Sequence, residues 1–477
     1  PSKSQQQALD NLIQKTPLES SDELIEKIGE LIDQGLEGTG CTFKEDIEPW
    51  AGKQVAGFLS EVGHEVQGAG LIATDDGDAT MEFFTECTTG EAPDFEDRSY
   101  NGVDYRFADD LALGLVEGYF VVGTEGAFKE VVDTAESGDS LEDSDKYKDA
   151  IDDLTTDNVM LLYADVKAML EQAQGEIDPA DLAAFQGFID TASDRPVTVA
   201  LSARDDGIVF EYAQGLPESQ ELVDLAESSS TLELLPQLPG GAWGAIGIGN
   251  VGEFVQGLLT SYSSLGIPGL DRAMLEERFE QETGLSLNED LLSWMGDLGI
   301  FVQGTSVPTL SGGVVIETTD AEASQLAVAE LEDYASKQGA PVGPLTIPGV
   351  EGFSIKEELQ PQPINIAAGA ERVVIAYGDL ATEQALEADV TLEENDTFVA
   401  AQDALGEGFT VLGYFEADPI QQLIEDALLP QMTAADPDAQ ANYEEDAKPF
   451  VDPMSFLVFG SNIDDGRSVT KIVLGVE

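Results

Sequence analysis

Two hydrophobic periods alternate along this chain. In residues 42–52 the apolar positions are Phe43, Ile47 and Trp50, and in residues 286–296 they are Leu287, Leu291 and Trp294. Spacing of i, i+4 and i+7 puts each set on one face of a short helix. Thr42 and Ser286 stand at the N-cap, with Glu45 and Glu289 three positions on as the carboxylates of a capping box. Gly52 and Gly296 stand where a left-handed residue would stop the helix. Apolar runs of strand length follow at 54–59 and 68–73, and at 298–303 and 312–317. Helices are expected from Asp75 and from Asp320. Further strands are expected at 103–107, 119–122, 159–165, 197–203 and 208–212, matched later by 353–356, 373–377, 410–416, 455–461 and 469–474. Gly123 and Gly378 each introduce a helix.

The same order of elements read twice is an internal duplication, and four blocks carry it. Trp294 follows Trp50 by 244 positions, with Glu-Asp ahead of each Trp. The segment from Ser140 to Tyr147 matches that from Thr391 to Phe398 at a spacing of 251, and Tyr163 matches Tyr414 at the same spacing. Asp205-Asp206-Gly207 matches Asp464-Asp465-Gly466 at 259. The expected fold class is α+β, as two homologous repeats, each a mainly antiparallel sheet with helices packed on one face. The repeats are 1–216 and 242–477, joined by a linker at 217–241. In the second repeat, the run from Ala242 to Gly249 reads as a strand before a helix at Val251. The matching helix of the first repeat begins at Ser2, so the first repeat is expected to lack its opening strand in this chain. Residues upstream of Pro1 would supply it, or an extended segment from another molecule, which would link subunits into filaments, unless the first repeat's fold does without it.

Composition narrows the chemistry. The 477 residues hold 94 Asp and Glu against 21 Lys and Arg, a formal net charge of −73. Such a surface repels phosphate backbones and anionic lipid, so nucleic acid is not expected as a partner, and with no run of eighteen or more apolar residues, direct membrane insertion by this segment is not expected either. One histidine and two cysteines rule out a two-histidine metal site or a four-cysteine zinc site. Cys41 and Cys87 are expected to form a disulfide, which suits an oxidising compartment. His64 reads as a loop residue, and no Gly-x-Ser-x-Gly elbow or phosphate-binding loop is present. Acids crowd residues 139–153 without EF-hand spacing, so no metal or cofactor site is nominated, calcium being the cation such a surface favours. No catalytic residue is nominated. The residues singled out are the disulfide pair and the helix-cap motif of Thr42, Glu45, Trp50 and Gly52, repeated at Ser286, Glu289, Trp294 and Gly296.

These blocks resemble a family of unknown function among bacterial surface-anchored or secreted proteins. Its motif Glu-Asp-x-x-x-Trp-x-Gly is matched by Glu45, Asp46, Trp50 and Gly52, and again by Glu289, Asp290, Trp294 and Gly296. A later strand-Gly-helix block is matched at Gly123 and Gly378, and a Ser-Leu helix start at Ser140, Leu141 and Tyr147, and at Thr391, Leu392 and Phe398. The resemblance implies a protein of the bacterial cell envelope or exterior, anchored upstream of Pro1. The expected role is non-enzymatic: a structural or interaction protein that forms filaments or lattices, its partners being other copies of itself or cell-envelope components. The alternative is a ligand-binding or carboxylate-dependent hydrolytic module with its site between the repeats.

Overall fold

The computed structural model describes residues 2–477 apart from 19, 63–65, 88–92, 153, 155–156, 175–185, 187–188, 190–191, 218, 265–271, 346, 349 and 359. The expectation for His64 therefore lies outside the described residues. The chain forms two compact units, the first of Pro1–Gln14 and Leu18–Thr198, the second of Lys15–Pro17 and Val199–Glu477. The fold is α+β, and every strand pair with a described register is antiparallel.

Six strands of the first unit are β1 (Ala51–Glu61), β2 (Gln67–Thr74), β3 (Glu96–Tyr100), β4 (Val103–Ala108), β5 (Leu111–Val116) and β6 (Tyr119–Thr124). They form a sheet in the order β1-β2-β6-β5-β4-β3. Three successive two-residue turns build its far half. Asn101-Gly102, Asp109-Asp110 and Glu117-Gly118 all have positive φ at both positions, the twist that returns a strand directly onto its neighbour. Phe128 and Val132 of the helix Glu125–Ser137 are fully buried with Ala112 and Val121 on one side of this sheet. On the other side, Phe84 of the helix Gly77–Glu86 stacks on Phe120 at 4.9 Å between ring centroids. Burying a ring such as Phe128 contributes about 1.5–3 kcal/mol.

The remaining strands are β7 (Met160–Ala164), β8 (Val197–Arg204), β9 (Gly207–Gly215), β10 (Ala242–Ile248), β11 (Met295–Gln303), β12 (Ser311–Thr318), β13 (Val342–Pro344), β14 (Glu351–Ile355), β15 (Ile364–Ala368), β16 (Arg372–Tyr377), β17 (Thr410–Glu416), β18 (Met454–Asp464) and β19 (Arg467–Val476). Their sheet has the order β13-β14-β15-β16-β12-β11-β10-β17-β18-β19-β9-β8-β7. The run β11-β12-β16-β15-β14-β13 thus repeats the strand order of the first sheet. In the second unit β10 continues that run, paired antiparallel to β11 on one side and to β17 on the other. Its Ala245 is buried, opposite Phe301 of β11 and Tyr414 of β17. The compact division falls inside β8 rather than after β9, because β9 pairs with β19 along nine residues, from Gly215 opposite Arg467 to Gly207 opposite Gly475.

Candidate functional site

The motif shared by residues 42–52 and 286–296 is architectural, and its details differ from the sequence expectation. Thr42 Oγ1 accepts from the Glu45 amide at 3.3 Å, and Ser286 Oγ accepts from the Glu289 amide at 3.1 Å. The carboxylate that reaches back over the cap comes one residue later. Asp46 accepts from the Thr42 amide at 2.6 Å and Asp290 from the Ser286 amide at 2.7 Å, while Glu45 and Glu289 are exposed. The turns are wound as π-type helices, Phe43–Ile47 and Leu287–Leu291, whose greater number of residues per turn brings the fourth residue rather than the third back over the cap. Trp50 and Trp294 are buried and donate their indole N–H to the carbonyls of Asp46 and Asp290.

Neither Gly52 nor Gly296 is a left-handed helix stop. Both lie inside strands, β1 and β11, and neither has positive φ. Gly52 is needed for a different reason, since a Cβ there would sit 2.5 Å from the carbonyl oxygen of Ala73 in β2. Gly123 belongs to β6, where Thr124 caps the following helix, whereas Gly378 is itself the cap, with φ 99°. Cys41 and Cys87 are bridged, their Cα atoms 5.9 Å apart, which ties the Thr42 cap to the end of the helix Gly77–Glu86.

Most of the conspicuous acids have structural work. The Asp143 carboxylate, in the acidic stretch, closes a capping box on Ser140. Glu125 accepts from the Tyr105 hydroxyl at 2.6 Å and faces Lys129 at 3.1 Å and Arg98 at 3.0 Å. The Tyr105 hydrogen bond, with the two cations, pulls its carboxyl down to about 2. That is opposite to what a general acid at neutral pH requires. Burial raises Glu317 and Glu416 above the usual carboxylate range. Among the described residues no group of three or more His, Cys, Asp or Glu converges as a metal site. No described helix is long and apolar enough to cross a membrane.

The feature that sequence reasoning did not locate as a site is a cleft in the first unit, bounded by β1 and β7. Gly57, Phe58 and Leu59 of β1 and Leu162 and Tyr163 of β7 line it on both faces. One face holds about 740 Å³ beside the helix Val166–Ala173, and the other about 720 Å³ beside the helix Glu125–Ser137. Both fall in the size range of binding sites, roughly 300–1,000 Å³. Among the described residues β1 has one strand partner, β2, and β7 ends the order of its sheet. Each therefore presents an open edge to the cleft. The Val62 amide donates to Gln172 Oε1 at 3.1 Å. Ser60 Oγ, on the lining, is buried without a partner among the described residues.

Side chains at this cleft are more exposed than the residues that occupy matching sequence positions in the second unit. Leu141 is 53% exposed and Leu392 0%, while Met160 is 48% exposed and Val411 4%. Tyr163 is half-buried and Tyr414 fully buried, although each ring meets a neighbour edge-on at 5.2 Å, Tyr147 for the first and Phe398 for the second. In the second unit the cover is residues 234–248. The Leu392 amide donates to the Leu238 carbonyl at 2.9 Å, the Gly240 amide to the Val390 carbonyl at 2.8 Å, and β10 fills the place between β11 and β17. The signal that could have found the site is the apolar character of Val55, Phe58 and Leu59 on a strand otherwise rich in small residues.

Comparison with known proteins assigns the chain to a family. It belongs to a protein family of unknown function (DUF3352), whose model matches residues 3–445. No curated protein and no solved structure matches the chain.

Proposed function

We propose that this chain is a non-enzymatic extracytoplasmic protein with a structural or interaction role, and that its first unit takes an extended polypeptide segment into the cleft between β1 and β7. The observation that carries this reading is a pair of open strand edges lining one apolar cleft, accessible from both faces. Unpaired backbone N–H and C=O groups beside exposed apolar side chains are what strand addition satisfies: main-chain hydrogen bonds give affinity, and alternate side-chain pockets give selectivity. The reading of the chain as two copies of one unit supports it. The matched blocks, the common strand order and the paired cap motifs set the cleft against a place that β10 occupies in the second copy.

The Cys41–Cys87 bridge supports an oxidising location. The net charge of −73 favours a neutral segment over an acidic one and suits a saline or calcium-rich exterior.

Hydrogen exchange tests the reading. The chain is mixed with a panel of neutral, apolar, strand-forming peptides, and with the same peptides interrupted by proline. The uninterrupted peptides should slow exchange at the amides of 54–60 and 160–164, and the interrupted ones should not. If no peptide protects either edge, the reading is wrong.

A further inference from the structure

Resting on that reading, we infer that the face of the cleft beside the helix Val166–Ala173 is a pocket for an aromatic side chain. The segment taken up is an extended stretch of a partner polypeptide that carries tyrosine or tryptophan where it passes Gly57.

The floor of that face is bare backbone. Gly57 of β1 and Gly70 of β2 stand directly opposite each other, so both present the same side of the hairpin to the cavity of about 740 Å³. Glycine inside a strand weakens it, and marks either a special backbone geometry or a place where something lies close against the sheet. The backbone requires neither of these two. Neither has positive φ, and an added Cβ would come no nearer to its surroundings than 3.6 Å at Gly57 and 3.5 Å at Gly70, which is ordinary contact. At Gly52 and Gly68, in the same two strands, the corresponding distances are 2.5 Å and 2.6 Å. The hairpin of β11 and β12 holds the same place in its own strand order, and the third pair after its register shift is Ile300 opposite Val314. The third pair after the shift in β1 and β2 is Gly57 opposite Gly70. Large side chains are therefore accommodated at such a pair, and the first unit omits them.

What surrounds the floor selects the occupant. Leu59, Leu162 and Met169 line this face and are exposed. A planar ring laid across Gly57 covers the bare backbone and meets these side chains at its edge, where a thioether is attracted to an aromatic ring. Covering a strand glycine with a ring from the neighbouring strand is itself a recognised device of sheets. The polar groups of the lining are mostly committed. Asp165 accepts from Lys146 at 2.6 Å and from the Ala168 amide at 3.1 Å, and Gln172 Oε1 accepts from the Val62 amide. A sugar ring or a charged side chain would leave polar groups without partners here. Ser60 Oγ is the exception, buried on the lining with no partner among the described residues. One free hydroxyl suits a ring with one polar atom, the phenol of tyrosine or the indole N–H of tryptophan. A strand paired with β1 turns the side chain opposite Gly57 onto this face and its two neighbours onto the face beside the helix Glu125–Ser137. The aromatic residue therefore stands opposite Gly57.

The test uses the full chain and a neutral, strand-forming host peptide with tryptophan, tyrosine, phenylalanine or alanine at its central position. Titration calorimetry gives the affinity, and hydrogen exchange at 54–60 and 160–164 gives the place. The tryptophan and tyrosine forms should bind at least about tenfold more tightly than the alanine form, the scale set by burying an aromatic side chain. Gly70→Val puts a branched side chain on the floor and should cut that preference to about twofold or less. Ala168→Phe narrows the same face from the helix and gives the same reading where Gly70→Val disturbs the sheet. The advantage of tyrosine over phenylalanine should disappear in Ser60→Ala. If the aromatic and alanine forms protect the edges and bind equally well, the inference falls and the uptake reading stands. The same holds if the aromatic preference survives both Gly70→Val and Ala168→Phe. If no form protects either edge, both fall.

Discussion

Replacing both Cys41 and Cys87 with serine should destabilise the transition that unfolds the first unit by about 4 kcal/mol. The bridge closes a loop with a sequence separation of 46. In the chain-entropy treatment the entropy removed from the unfolded chain is about 2.1 + 1.5R ln 46, near 13 cal/mol/K, which gives that figure at 25 °C. Contacts inside the loop set how much of it is realised. Trp50 lies 5.7 Å from Phe83 and 6.3 Å from Phe84, and the Asp75 amide donates to the Trp50 carbonyl at 3.1 Å. Where these clusters persist in the unfolded chain, the bridge has less entropy to remove and the cost falls. For a unit of this size, 4 kcal/mol corresponds to a fall in Tm of roughly 8–16 °C. Calorimetry of the oxidised protein, the reduced protein and the double variant measures it, and the reduced protein should match the variant. A loss below about 1 kcal/mol would refute the loop-closure argument.

Two further outcomes follow from charge. With 94 acids against 21 bases, the compact state repels itself, so Tm should rise as NaCl shortens the screening length from about 10 Å at 0.1 M to about 3 Å at 1 M. Millimolar CaCl₂ measured alongside separates general screening from calcium binding, and a flat response to both would reject the self-repulsion argument. The second outcome concerns Glu125, whose carboxyl is held down to about 2 by the Tyr105 hydrogen bond and by Lys129 and Arg98. Its contribution is fully present above the unfolded carboxylate pKa of about 4.5 and is lost as pH falls through about 2. Glu125→Gln should cost about 1–2 kcal/mol at pH 7 and progressively less below pH 4.5, read from urea unfolding across pH. Glu317 and Glu416 work in the opposite sense, because protonation favours the fold where burial has raised the folded pKa. The pH dependence belongs to the difference between wild type and variant, and a difference that does not shrink in acid would count against the assigned network.

Most strands that sequence located carry several large apolar residues, as 373–377 and 455–461 do. Two that it passed over, β3 and β5, are set by tight turns. Leu111–Val116 reads as small and weakly patterned, yet the turns Asp109-Asp110 and Glu117-Gly118 fix it between β4 and β6. Asn101-Gly102 is the strongest hairpin signal in the chain, and it defines β3, a strand of Glu, Asp, Arg and Ser that hydropathy alone assigns to a loop. The cap motif was visible as residue types, but the choice of Asp46 over Glu45 depends on π-type winding, which spacing does not encode. The cleft was not named by the sequence reading. Its position required knowing that β1 and β7, a hundred residues apart in the chain, line one space.

How the other edges are treated distinguishes this cleft from an ordinary sheet border. A strand edge left open to water invites pairing with other chains, and proteins blunt such edges with charge, proline or shortness. At the far end of the first sheet, β3 carries Glu96, Asp97 and Arg98, the guanidinium held against Glu96 at 2.9 Å. At the end of the other sheet β13 has three residues and finishes in Pro344. The stretches at the cleft, 54–60 of β1 and all of β7, carry no charged residue and no proline. β1 exposes Val55 at 76% and Leu59 at 63%, and β7 exposes Met160 and Leu162 at about half of their surface. By contrast β11, paired on both sides, alternates between buried and half-buried along most of its length. Two edges carry charge, shortness or proline while the two that line the cleft are apolar, and the proposed uptake of an extended segment rests on that contrast.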